Sequence, residues 1–120
     1  MDWTKPTTLL LGRYQPWHRG HTELFKRAIQ KTGQVLITVR RMPKDDNNPY
    51  DWKTVSKNII DSLEAEGYSY GVEFELSRSA NITHVTYGRD VGYIIEQEHL
   101  GEEIEAISAT DIRNEDSTNH

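Results

Sequence analysis

Cysteine is missing from this chain of 120 residues, so neither a disulfide framework nor a thiolate metal site can form. Long apolar runs are missing as well: nothing approaches the roughly 20 residues that span a bilayer, and the first residues lack the apolar core of a signal peptide. A soluble, cytoplasmic chain is expected. Apolar content is only 35% and mean hydropathy is -0.76, which predicts a modest core under a wet surface, one that self-association into a homo-oligomer would complete. Positive charge is not in excess, since 14 Lys and Arg face 19 Asp and Glu for a net charge of -5. That balance argues against nonspecific binding of nucleic acid, although it leaves room for a local basic pocket. Arg13, Arg19, Lys26, Arg27, Lys31, Arg40, Arg41 and Lys44 all lie in the first half, whereas Glu96 to Asp116 is mostly acidic. Repeats, low-complexity tracts and linkers are absent, and the length fits a single domain over 1–113 with a frayed tail over 114–120.

What is present is an alternation of strand and helix signals. Thr7 to Leu11 is a short, continuously apolar run ended by Gly12, the pattern of a strand buried on both faces. From His18 to Thr32 the residues Leu24, Phe25, Ala28 and Ile29 recur at helical spacing, and Gly33 supplies the stop. Gln34 to Val39 reads as a second buried strand, and the polar stretch Arg40 to Pro49 as a loop. Asp51 can cap a second helix running to Glu66, with Val55, Ile59, Ile60 and Leu63 inward. Val72, Phe74 and Leu76 alternate with Glu73 and Glu75, as in a half-exposed edge strand. Ile82 to Tyr87 predicts a further strand, Val91 to Leu100 is ambiguous, Glu103 to Ile107 suggests a short strand, and Ser108 or Thr110 can start a last helical turn. This order implies an α/β fold with a doubly wound, mainly parallel sheet of the Rossmann-like kind, which binds ligands beyond the carboxyl ends of its strands.

The turn after the first strand is dense in chemistry. Gly12-Arg13-Tyr14-Gln15-Pro16-Trp17-His18-Arg19-Gly20-His21 holds two imidazoles, two guanidiniums and two glycines, and leads into a helix. A helix N-terminus offers unpaired N–H groups and a partial positive charge, which suit phosphate. His18 and His21 can both donate hydrogen bonds to a triphosphate, and Gly20 lets the backbone come close. Arg13 suits bidentate phosphate contact, with bonding to loop carbonyls as its structural alternative. A zinc site on His18 and His21 is disfavoured, since no third ligand is evident and the spacing is not i, i+4.

The ten-residue run resembles the Gly-Arg-Phe-Gln-Pro-Phe-His-x-Gly-His signature of the cytidylyltransferase-like nucleotidyltransferase superfamily, most closely the archaeal-type nicotinamide mononucleotide adenylyltransferases. Ile107-Ser108-Ala109-Thr110-Asp111-Ile112-Arg113 resembles that family's second signature, and Asn48-Pro49-Tyr50 its Asn-Pro-Phe segment. The resemblance runs from Thr7 to Arg113. It implies a catalytic set of His18, His21 and Arg113, and nucleotide or phosphate contacts from Gly12, Arg13, Tyr14, Gln15, Gly20, Gly88, Arg89, Asp90, Ile107, Ser108 and Thr110. Arg40 and Arg41, at the end of the second strand, and Tyr50 and Trp52, after the loop, are candidates for acceptor binding. Their plainer roles are solvated charge and cover for the second helix.

The implied reaction is transfer of AMP from ATP to a small phosphorylated acceptor with release of pyrophosphate. Nicotinamide mononucleotide is the favoured acceptor, and Mg²⁺ is expected to arrive on the triphosphate oxygens, with no protein ligand named. Cytidylyl transfer from CTP and adenylyl transfer to phosphopantetheine are alternatives within the class. A non-catalytic nucleotide-binding regulatory module is the alternative outside it, because only seven residues follow Arg113, fewer than such adenylyltransferases usually have. An aminoacyl-tRNA synthetase fragment shares the His-x-Gly-His logic but is disfavoured by size, by the lack of a lysine-rich second loop and by the acidic balance. Partners are thus ATP or CTP and a small phosphorylated substrate, with no nucleic acid and no membrane.

Overall fold

The structure is a computed structural model that describes residues 1–89 and 92–98. Five elements follow one another: β1 (Thr8–Gly12), α1 (Arg19–Thr32), β2 (Val35–Arg40), α2 (Trp52–Ala65) and β3 (Phe74–Ser79). The strands form a parallel sheet in the order β1-β2-β3. Leu10 lies opposite Ile37, and Ile37 opposite Leu76. Parallel strands need crossovers, and α1 and α2 supply them. All three carboxyl ends therefore point to one edge, where the β1–α1 turn and the loop after β2 gather.

The helices begin and end where local chemistry requires. Asp51 caps α2 by accepting the Thr54 N–H at 2.9 Å, and Val55, Ile59 and Leu63, one turn apart, are its buried residues. At the end of α1, Gly33 adopts a left-handed φ of 78° and donates its N–H to the Ile29 carbonyl at 2.8 Å. A side chain there would strain the backbone, so glycine is the natural stop.

One hydrophobic cluster joins the layers. Leu10, Val35, Ile37, Val39 and Phe74 come from the sheet, and Phe25, Ala28, Val55, Ile59 and Leu63 from the helices. Phe25 makes edge-to-face contacts with Tyr68 and Phe74, at centroid separations of 4.9 and 5.9 Å. Both helices thus pack on the same face of the sheet. On the opposite face Leu9 is 57% and Leu11 40% exposed, so the second helical layer of a doubly wound sheet is not found among the described residues.

The expected strand at Ile82 to Tyr87 is not formed; this segment is irregular, with Val85 and Tyr87 exposed. The cause is local. The ladder ends where Arg41 N–H reaches the Ser79 carbonyl, and the chain then bends sharply as Ile82 N–H closes on the Ala80 carbonyl at 2.7 Å. This three-residue turn breaks the extended backbone right after β3, and the residues that follow pair with no strand in the described fold. Of the ambiguous stretch, residues 92–98 carry no regular structure. They lie against α1, where Lys31 pairs with Glu96 and Glu98, and Arg27 with Glu98. The expected strand Glu103 to Ile107 and the last helical turn lie outside the described residues.

Candidate active site

The β1–α1 turn is shaped by aromatic packing. Tyr14 takes a left-handed φ of 53°, unusual for a bulky residue, and its ring folds back over Gly12. A Cβ at Gly12 would meet that ring at 2.9 Å, which explains the glycine. The Tyr14 ring also packs on Trp17 at 4.9 Å and on the edge of His21 at 5.0 Å. Burial pushes the Tyr14 hydroxyl well above the usual phenol range. Tyr14 is thus a neutral wall that positions His21. Trp17 is buried, donates its indole N–H to Thr22 at 2.9 Å and packs the turn onto α1.

His18 and His21 form a reciprocal cap at the start of α1. His18 Nδ1 accepts the Gly20 N–H at 3.0 Å, and His21 Nδ1 accepts the His18 N–H at 3.1 Å. An Nδ1 that accepts a hydrogen bond carries no proton, so each neutral ring has its N–H at Nε2. The rings lie 4.0 Å apart, tilted by 31°. The cap therefore does two things: it pairs backbone donors of the first turn, and it leaves two Nε2–H donors side by side at the positive end of the helix dipole.

Burial holds both rings neutral. It lowers His18 below the ordinary imidazole value, and burial together with the neighbouring His18 holds His21 at about 3. In an unfolded chain these groups titrate near their ordinary value of 6.5. Below that pH the unfolded state binds more protons than the native state. Stability that is fully present above pH 6.5 is therefore lost as the pH falls, for His21 down toward 3 with a slope approaching about 1.4 kcal/mol per pH unit, while His18 adds a loss of the same sign. Urea midpoints between pH 8 and pH 4.5 check this, and His21→Asn should flatten the profile. A profile flat in the native chain contradicts the buried, neutral pair.

Gln15 and Arg13 reach across to the loop before α2. The Gln15 side-chain amide brackets the Tyr50 backbone, donating to its carbonyl and accepting its N–H, both at 2.9 Å. Arg13 Nη1 donates to Asn48 Oδ1 at 3.4 Å, and the buried Asn48 is in turn held by Asp45 at 2.9 and 3.0 Å. In this structure Gln15 thus fastens two loops together, and Arg13 reaches the side chain of Asn48. Gly20 is buried in the first turn of α1.

Beside this brace, a cleft of about 270 Å³ opens at the carboxyl ends of β2 and β3. It brings together Arg40, Arg41, Tyr50 and Trp52, the four expected acceptor-side residues, with Lys44 and Arg78. Arg78 sits over the Trp52 ring, its guanidinium carbon 4.8 Å from the centroid. Nothing in the sequence pattern singles out Arg78, which reads as an outward residue of an edge strand; its place at the strand's carboxyl end is the signal that finds it. Gly88 and Arg89 are exposed and lie in an irregular segment. Asp90, Ile107, Ser108, Thr110 and Arg113 lie outside the described residues. Among the described residues no group of three or more His, Asp or Glu side chains is arranged to hold a metal ion, and no helix is long and apolar enough to cross a membrane.

The fold is thus a parallel α/β sheet of Rossmann-like kind, with paired imidazoles at the start of the helix that follows its first strand. Residues 9–64, from β1 through nearly all of α2, match the family model described as cytidylyltransferase-like. That match supports membership of the superfamily and a nucleotidyltransferase-type function. No curated protein matches the chain significantly.

Proposed function

We propose that the chain transfers AMP from ATP to a small phosphorylated acceptor. An oxygen of the acceptor phosphate attacks the α-phosphorus, a new P–O bond forms, and the bond to the bridging oxygen breaks to release pyrophosphate. Negative charge grows on the bridging and leaving oxygens, so alignment and charge stabilisation carry the catalysis. The observation that supports this reading is the His18–His21 pair, whose backbone-anchored Nδ1 atoms leave both Nε2–H groups free of the cap. Being neutral and already oriented, the two donors need little reorganisation when the charge develops. By resemblance, Ser108, Thr110 and Arg113 hold the outer phosphates from the other end of the chain. Mg²⁺ would neutralise triphosphate charge, with the phosphates as its main ligands. Nicotinamide mononucleotide is the acceptor that the resemblance favours, which places the reaction in NAD synthesis or salvage.

The test is pyrophosphate release with ATP or CTP, each paired with nicotinamide mononucleotide, phosphopantetheine, choline phosphate and a polyol phosphate. Release with ATP and nicotinamide mononucleotide is expected. ATP binding without release from any pair would instead make the chain a nucleotide-binding regulatory module, and release only with CTP would make it a cytidylyltransferase.

A further inference from the structure

Asn58 lies on α2 just before the fully buried Ile59 and one turn after Val55, on the shoulder of the helix's inward face. Its side-chain Nδ2 donates to the Trp17 carbonyl at 3.1 Å. A carbonyl oxygen can only accept, so the nitrogen of the amide must face it. Trp17 C=O and His18 N–H belong to one planar trans peptide, whose two polar ends point in opposite directions. At the far end, the His18 N–H is accepted by His21 Nδ1 at 3.1 Å. A single peptide plane is thus held between the amide of Asn58 and the imidazole of His21.

His21 needs such a hold. The rings of Tyr14 and Trp17 stand 5.0 and 5.3 Å from it, centroid to centroid. They confine its plane, yet ring packing does not decide which nitrogen carries the proton. A hydrogen bond to Nδ1 does, and its strength depends on how the peptide is presented. Donation into the Trp17 carbonyl draws electron density from the peptide nitrogen and makes the His18 N–H a better donor. Asn58 also resists turning of the plane about its Cα–Cα axis, the rotation that would carry the N–H off Nδ1.

We infer that Asn58 is a positioning residue for His21: from α2, and through the Trp17–His18 peptide, it selects the Nε2–H tautomer and fixes the direction of that donor. The inference rests on the reading of His21 as a donor to phosphate in nucleotidyl transfer. Asn58 touches no substrate in that reading and acts only through the peptide. The second crossover helix thereby takes part in setting the geometry of the turn that precedes the first.

The His21 tautomer is read at neutral pH from two-bond proton–nitrogen NMR correlations of the ring, together with amide exchange at His18, so turnover is not needed. Asn58→Leu matches the branched shape and excludes a water that could stand in for the amide. Asn58→Ala, a better helix former, is read in its place if leucine unfolds the chain. Native His21 is expected to carry its proton on Nε2. In the variant the bias toward that tautomer should fall by about five- to tenfold, and the His18 amide should exchange faster by a similar factor, the worth of one ordinary hydrogen bond. Asn58→Gln, with its donor on a longer arm, should recover part of both. With ATP and nicotinamide mononucleotide, kcat should fall about tenfold while KM for ATP stays within about twofold. A native proton on Nδ1, a tautomer and an amide exchange unchanged in the variant, or a shifted tautomer with unchanged kcat overturns the inference. Release of pyrophosphate by the native chain is scored separately. A tautomer shift in a chain that releases none leaves the hydrogen-bond relay standing and removes the transferase reading, while release with an undisturbed tautomer does the reverse.

Discussion

Replacing His21 by asparagine is expected to leave a folded chain whose pyrophosphate release has fallen by about 10²- to 10³-fold, the usual loss for one oriented donor to a developing oxyanion. Asparagine places its side-chain oxygen near the position of Nδ1. It can therefore still accept the His18 N–H that His21 accepts at 3.1 Å, but it has no group where Nε2–H stood. His18→Asn should behave in the same way, retaining the bond to the Gly20 N–H and losing its own donor. Glutamine is the inverse probe, since its amide reaches toward the Nε2 position while the short-range acceptor is gone. His21→Gln should retain part of the activity and lose about 1 kcal/mol of stability through the damaged cap. Rates with ATP and acceptor, alongside urea midpoints, separate the two roles. Full turnover in both asparagine variants would leave the histidines as caps alone.

The second large effect is structural. Phe25→Ala is expected to cost about 3–5 kcal/mol, a large share of the 5–15 kcal/mol typical of a domain. Phe25 is fully buried and is the ring through which α1 meets both Phe74 of β3 and Tyr68 after α2. Its removal leaves a void between elements held by three different parts of the chain, which cannot collapse by moving one side chain. A lower urea midpoint with an unchanged slope checks this. The same variant should lose activity by population of unfolded chains, with the rate per folded molecule preserved, because the capping turn at His18 is stabilised by its own local bonds.

Much of the architecture is legible in the residues. Leu24, Phe25, Ala28 and Ile29 announce α1, Asp51 and Gly33 mark a start and a stop, and Val35 to Val39 announce β2, because each signal arises from hydrogen bonds and side-chain periods within a few residues. Ile82 to Tyr87 shows where that logic stops. Its pattern is as strand-like as that of β3, yet a strand exists only when a partner edge lies alongside, and the turn at Ala80 to Ile82 removes it in the described fold. The candidate site divides in the same way. The histidine pair was visible as a spacing, whereas the tautomers follow only from the bonds that each Nδ1 accepts.

The amino-acid order by itself determined the periodic elements, the local caps and the phosphate-suited turn from Gly12 to His21, since these rest on interactions between near neighbours. Tertiary structure alone decided that Gln15 brackets Tyr50, that Arg13 meets Asn48, and that Arg78 from β3 covers Trp52 from α2. Those pairs are separated by a helix, a strand or a long loop. Their meeting is set by the strand order and by the common direction of three parallel strands, which no local period encodes.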